Sequence, residues 1–162
     1  MTRLAVLSDT HSRYRTVDAA LELVRDHGAE LILHCGDIED AATVRLFQGF
    51  PTHFVFGNCD HNRRKLERAM EEIGAVSHGN WGFLELDGRN LAWTHGDDKT
   101  LFHDLGRSGQ FDYLFYGHTH EAEQHRSGRT LVVNPGALHR ARIKTFVVLD
   151  LQTGELESVA VE

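Results

Sequence analysis

The tetrapeptide Gly117-His118-Thr119-His120 follows directly on the apolar run Tyr113-Leu114-Phe115-Tyr116. In an extended chain residues i and i+2 face the same way, so His118 and His120 present two imidazoles side by side where a buried strand ends. Paired imidazoles offer nitrogen to a metal. An isolated His-x-His is more often a solvated loop, but this one has company upstream. Leu4-Ala5-Val6-Leu7 runs into Asp9-Thr10-His11, and Leu31-Ile32-Leu33 into Gly36-Asp37. His53-Phe54-Val55-Phe56 runs into Gly57-Asn58-Cys59-Asp60, and Leu91-Ala92-Trp93 into His95-Gly96. Five strand ends therefore carry seven candidate ligands: Asp9, His11, Asp37, Asn58, His95, His118 and His120. A mixed oxygen and imidazole set suits Mn, Fe, Co, Ni or Zn, whereas an all-oxygen set would suit Mg or Ca. Seven ligands exceed one tetrahedral site and match two divalent ions that share a carboxylate.

These ligands need strands to carry them and helices to return the chain. Arg3 to Ser8 reads as a short apolar strand buried on both faces. Val17, Ala20, Leu21 and Val24 recur at helical spacing until Gly28 stops the helix, and the strand Glu30 to His34 follows. Asp40 is placed to cap a second helix reaching Phe47, followed by Pro51 and a strand at Thr52 to Phe56. A third helix over Arg63 to Ile73 turns Leu66, Met70 and Ile73 inward. These are βαβ units with parallel strands, and open α/β sheets place their sites beyond the carboxyl ends of such strands. The second half reads mostly as sheet: Phe83 to Leu86 and Asn90 to Trp93 joined by the hairpin turn Asp87-Gly88, then Tyr113 to Tyr116, Thr130 to Val133, Thr145 to Leu151 and Leu156 to Val161, with one helix over Lys99 to Leu105.

The totals bound the function. A chain of 162 residues, 41% hydrophobic and with no linker or repeat, fits one domain spanning residues 1–162. A net charge of −7 and a pI near 5.9 argue against long nucleic acid or anionic lipid as partners. Only four apolar residues follow Met1-Thr2-Arg3, and no stretch approaches a membrane span, so a cytoplasmic protein is expected. Cys35 and Cys59 are too few for a disulfide framework and are read as reduced thiols. A homo-oligomer would need an exposed apolar patch, which periodicity does not locate.

Asp-x-His, Gly-Asp, Gly-Asn-x-Asp, His-Gly and Gly-His-x-His, in this order, resemble the calcineurin-like metallophosphoesterases, in particular their short phosphodiesterase branch. The match runs from Asp9 to Gly136, because Asn134-Pro135-Gly136 resembles the turn after the last metal-bearing strand. The resemblance implies an α/β fold, a four-layer α-β-β-α sandwich of two mixed sheets flanked by helices. It implies that Asp9, His11 and His120 hold one ion, that Asn58, His95 and His118 hold the other, and that Asp37 bridges them. Manganese is the first choice of metal, with Ni, Co, Fe and Zn as alternatives. Two such cations lower the pKa of a water and neutralise charge on a phosphoryl oxygen during in-line displacement, so no protein nucleophile is required. The expected activity is hydrolysis of a small phosphate ester, a phosphodiester first and a monoester second. A non-catalytic protein-binding scaffold of the same fold and a nuclease for short oligonucleotides are the alternatives.

Two departures bear on substrate handling. Many members carry His directly after the ligand Asn, where this chain has Cys59, and a second His where this chain has Asp97. His61 is the candidate for a displaced acid, weighed against a solvated residue at a helix start, with His139 behind it. Cys59, Arg63 and Arg140 are candidate substrate contacts. Ser8 and Ser12 read as turn or cap residues. His34 and His53 read as packed or edge positions, and His27, His103 and His125 as surface residues.

Overall fold

Successive residues along the central strands feed two different hydrophobic cores, which is what a strand apolar on both faces must do. The computed structural model describes residues 2–162. On β1 (Arg3–Leu7), Ala5 and Leu7 face one core while Leu4 and Val6 face another. The same alternation continues on β2 (Leu31–His34), where Ile32 and Leu33 part company, and on β10 (Lys144–Asp150), where Phe146 and Val148 oppose Val147 and Leu149. These strands belong to a six-stranded sheet that also contains β3 (Thr52–Phe54), β4 (Val76–Ser77) and β11 (Leu156–Val161), in the order β11-β10-β1-β2-β3-β4. Strands β1 to β4 are parallel, and β10 and β11 are antiparallel additions.

The outer face of this sheet is covered by α1 (Tyr14–Asp26), α2 (Ala41–Leu46) and α3 (Arg63–Ile73). Val17, Ala20, Leu21 and Val24 form the buried stripe of α1, and Leu66, Ala69 and Met70 that of α3. Asp40 caps α2 by accepting from the Thr43 amide at 2.9 Å, and Asn62 caps α3 by accepting from Lys65 at 3.2 Å.

The inner face packs on a second, five-stranded sheet in the order β5-β6-β7-β9-β8. Its strands are β5 (Trp81–Leu86), β6 (Arg89–Thr94), β7 (Tyr113–Phe115), β8 (Glu123–Ser127) and β9 (Thr130–Asn134). Strands β6, β7 and β9 run parallel, while β5 and β8 are antiparallel edges. Leu91, Trp93, Tyr113, Phe115 and Val133 join the inter-sheet core. Ala92, Leu114 and Val132 turn outward to meet α4 (Lys99–Arg107) through Leu101 and Leu105. Three cores separate four layers, so the expected α-β-β-α sandwich of mixed sheets is present. Each fully buried aliphatic or aromatic side chain contributes roughly 1.5–3 kcal/mol, which makes this framework stiff enough to hold strained loops. The expected βαβ units and the Asp87-Gly88 hairpin are found. Two strands had no apolar pattern to announce them: β4 has two residues, and β8 has the polar sequence Glu-Gln-His-Arg-Ser.

Candidate metal centre

Loops at the carboxyl ends of β1, β2 and β3 meet loops at the carboxyl ends of β6, β7 and β9, and the seven candidate ligands converge there. Asp9 Oδ1 lies 3.3 Å from His120 Nε2 and 3.6 Å from His11 Nε2. Asp37 Oδ2 lies between His11 Nε2 at 3.4 Å and His95 Nε2 at 3.2 Å. Asn58 Oδ1 is 3.0 Å from His95 Nε2 and 3.1 Å from His118 Nδ1. Three sets of ligand atoms, each with its members within 4.8 Å of one another, could hold an ion: Asp9/His11/His120, Asp9/Asp37/His95 and His11/Asp37/Cys59. The last places a thiol at the centre that sequence reasoning read only as a substrate contact.

Hydrogen bonds at the far side of three rings decide which nitrogen faces inward. His11 Nδ1 lies 2.8 Å from Glu39 Oε1, His95 Nδ1 2.8 Å from the Cys35 carbonyl, and His120 Nδ1 2.6 Å from the His139 carbonyl. All three acceptors demand a proton on Nδ1, which leaves the Nε2 lone pairs aimed at the carboxylates. Lone pairs facing lone pairs repel unless a cation lies among them. Two buried atoms carry that deficit openly, because Asp9 Oδ1 and His11 Nε2 have no hydrogen-bond partner. The residues present therefore fit divalent metal.

The electrostatics point the same way. Burial works to raise the Asp9 pKa, but the nearby His11 and His120 rings, the charge of His95 and a 2.7 Å bond from Ser8 outweigh it, holding the carboxyl far below its usual range. Burial would lower the His95 pKa, yet Asp37 and Asp9 beside it push it up to about 9. In the metal-free protein a proton does part of what a cation would do.

Backbone conformation is sacrificed to this convergence. Nine non-glycine residues among those described have positive φ, and eight belong to these loops: Asp9, His11, Ser12, Asp37, Glu39, His118, His120 and Arg140. Such conformations cost of order 1–3 kcal/mol each and persist only where the surroundings hold them. Asp60, only 4% exposed, is one such holder. Its Oδ2 accepts from the amides of Asp37 and Gly57 at 2.9 and 2.8 Å, and its Oδ1 from those of Ile38 and Glu39, both at 2.8 Å. One carboxylate thus staples the Asp37 loop to the Asn58 loop. Gly57 is required there for space, since a Cβ would lie 2.2 Å from Asp37 Oδ1.

Asp60 and Glu39 were missed as functional residues. Asp60 was visible as a letter of the Gly-Asn-x-Asp motif, but its four partners are backbone amides that no motif records. Glu39 follows Asp37 at the i+2 spacing that drew attention to His118 and His120, and that signal could have found it. His34, read as a packed residue, is fully buried. Its Nδ1 accepts from the Gly36 amide at 3.0 Å and its Nε2 lies 3.1 Å from Thr10 Oγ1.

A cavity of about 230 Å³ opens over the centre, lined by His11, Asp37, Glu39, Asn58, Cys59, His118, His120, His139 and Arg140. Cys59 and Arg140 thus face it, as does His139, whose Nδ1 accepts from Arg13 Nε at 3.0 Å. His61 is exposed and does not line the cavity. Arg63 does not line it either, because its guanidinium donates to Asn80 Oδ1 at 2.7 Å and lies 5.0 Å over the Phe56 ring.

Comparison with known proteins agrees with this geometry. Residues 2–154 match the calcineurin-like phosphoesterase superfamily domain. The phosphodiesterase MJ0936 of Methanocaldococcus jannaschii is 27% identical over 165 residues, which cover 99% of either chain. The probable metallophosphoesterase YsnB of Bacillus subtilis is 25% identical over 158 residues, covering 91% of this chain and 83% of that one. The solved structure of an archaeal phosphodiesterase superposes with a TM-score of 0.92 at 26% identity, covering 99% of this chain and all of the other.

Proposed function

This chain belongs to the calcineurin-like phosphoesterase superfamily, and from that premise we propose that it hydrolyses small phosphodiesters at a centre of two divalent transition-metal ions. The observation that carries the reading is the pair of buried atoms without partners, Asp9 Oδ1 and His11 Nε2, inside a ring of inward-facing lone pairs. Asp9, His11 and His120 would hold one ion, Asn58, His95 and His118 the other, and Asp37 both. Manganese is the proposed metal, with Ni, Co, Fe and Zn able to use the same donors. Bound there, the ions would supply Lewis acidity toward the phosphoryl oxygens and lower the pKa of a water.

The chain's own residues do the rest. Glu39 and the carbonyls of Cys35 and His139 fix the imidazole tautomers. Arg140 brings a positive charge to the cavity wall, where it would face the non-bridging oxygens of a bound phosphate. Cys59 stands where related enzymes carry His. Burial and the neighbouring Asp37 push its thiol up to about 11, so it stays protonated and is a weak donor. General-acid help to a leaving group is typically worth on the order of 10²- to 10⁴-fold, and Cys59 supplies little of it. The enzyme therefore favours esters with acidic leaving groups. The reading is of a cytoplasmic enzyme with a small substrate, and no helix among the described residues is long and apolar enough to cross a membrane.

The test is metal removal, verified by elemental analysis, followed by assay on bis(para-nitrophenyl) phosphate with single metals restored. Activity should vanish in the stripped protein and return with Mn, Co or Ni far better than with Ca, at two equivalents per chain. Full activity in the stripped protein overturns the metal reading, and full activity at one equivalent overturns the pair.

A further inference from the structure

The space over the candidate ligands is small for a whole substrate, because organic ligands occupy pockets of about 300–1,000 Å³. A second cavity of about 510 Å³ adjoins it, lined by Thr119, Glu121, Ala122, Ala141, Arg142, Ile143 and Thr145. His120 and Arg140 line both cavities, so the two meet at these side chains. We propose that this second cavity is a subsite for one organic arm of the phosphate ester, and that it selects arms with an apolar body ending in a further anionic group. The proposal rests on the phosphoesterase reading and adds the substrate's class to it.

Three independent features of the wall support this. Arg140 and Arg142 are exposed and, among the described residues, have no carboxylate within ion-pair distance and donate no hydrogen bond. In a chain of net charge −7, two free guanidiniums on one side of a cavity are a local reversal of sign. Glu121 is the only acidic side chain in that lining, so the balance there is positive. Next to them Ile143 is 65% exposed, well above Tyr14 at 45%, the next most exposed large apolar side chain among the described residues. With Ala122 and Ala141 it gives the cavity an apolar floor that a ring or chain can cover. Finally, Arg140 has φ of 49°, a conformation that Arg adopts only when held in it, and it occurs where the loop from β9 to β10 crosses between the sheets. The first cavity also carries the carboxylate of Glu39 in its lining, which disfavours an anionic arm there.

One-armed, non-hydrolysable ligands test the subsite without ambiguity over which ester arm occupies it. Methylphosphonate, benzylphosphonate and para-carboxybenzylphosphonate are compared as competitive inhibitors of bis(para-nitrophenyl) phosphate hydrolysis by the metal-loaded enzyme. The benzyl group should lower Ki several-fold against methylphosphonate, and the carboxylate should lower it a further three- to tenfold, as one or two exposed ion pairs would. Arg142→Gln should remove most of the carboxylate's advantage, high salt should do the same, and Ile143→Ser should remove that of the ring. Methylphosphonate is the internal reference in each protein. Equal Ki values for the two benzyl ligands in the wild type, or a ratio unmoved by Arg142→Gln, overturn the subsite while leaving the phosphoesterase reading intact. Failure of methylphosphonate to inhibit, or of the diester to be hydrolysed, overturns both.

Discussion

The two ends of the sandwich are built by opposite rules. At the amino-terminal ends of the central parallel strands, the turns are short, and glycine takes the left-handed conformation: Gly88 at φ 73°, Gly128 at 57° and Gly154 at 76°. Asp87 is the one non-glycine exception there. At the carboxyl ends Gly36, Gly96 and Gly136 share that region of conformational space with Asp, His, Glu, Ser and Arg. Residue choice follows backbone preference at one end, and at the other chemistry overrides that preference at eight positions. The difference teaches where stability is being spent, because a left-handed non-glycine residue costs roughly 1–2 kcal/mol, and only the end that gathers donors accepts that cost eight times over.

Breaking the chemistry without touching the scaffold should have the largest effect. Asp37→Asn keeps the side chain's shape and can still accept from the Cys59 amide, now at 2.9 Å. It removes the charge between His11 and His95. Activity should fall by more than about 10²-fold, since even residues that merely orient metal ligands are worth 10–100-fold. The thermal midpoint should stay close to wild type or rise, and normal turnover with two bound metals would show that Asp37 does not bridge them.

Asp60→Asn should cost less activity and more stability. An amide offers one acceptor oxygen, so the four amides now held by Asp60 cannot all be satisfied. The expected loss is about 2–4 kcal/mol in urea unfolding, as the two amides facing the replaced oxygen lose their partner, with activity down about 10–100-fold. A stable variant with full activity would mean that the strained loops hold themselves.

A paired glycine experiment sharpens the contrast between the ends. A methyl at Gly88 meets no atom within 4 Å, whereas one at Gly57 collides with Asp37 Oδ1. Gly88→Ala should cost about 1 kcal/mol from its left-handed backbone and leave turnover unchanged. Gly57→Ala should cut turnover at least tenfold by displacing Asp37. Equal behaviour in the two assays would erase the distinction.

Much of this was legible in the sequence, for reasons that particular residues show. Strands such as Leu4-Ala5-Val6-Leu7 are apolar on both faces because both faces are buried, so their ends, and the donors at those ends, could be located from pattern alone. Strand β8 could not, because Glu123, Gln124, His125 and Arg126 are all exposed and its place is set by pairing with β9. The roles of Asp60 and of the Cys35 and His139 carbonyls were hidden for a related reason: they depend on backbone groups brought close by the fold, which side-chain spacing does not encode. The direction taken by Arg63 was hidden too, since Asn80 and the Phe56 ring draw it off.

His34 gives the most direct reading of the buried end of β2. It accepts from the Gly36 amide through Nδ1 and so can carry its proton only on Nε2, facing Thr10. A second proton would both break the Gly36 bond and charge a fully buried ring. Burial accordingly pulls its pKa down to about 3, against about 6.5 for an exposed histidine. Between those values the unfolded chain binds a proton that the folded chain refuses, so this group's contribution is intact above pH 6.5 and declines as pH falls toward 3. From pH 7.5 to 5 the decline is about 2 kcal/mol, at 1.36 kcal/mol per unit below 6.5. His11, His95 and His120 are all shifted the other way, so the total slope is not diagnostic. The difference between wild type and His34→Gln isolates it. Urea unfolding of both metal-free proteins from pH 7.5 to 5 should show the wild type losing about 2 kcal/mol more than the variant, whatever the variant's own starting stability. Parallel stability curves would mean that His34 is protonated in the folded state and that its bond from Gly36 is absent in solution.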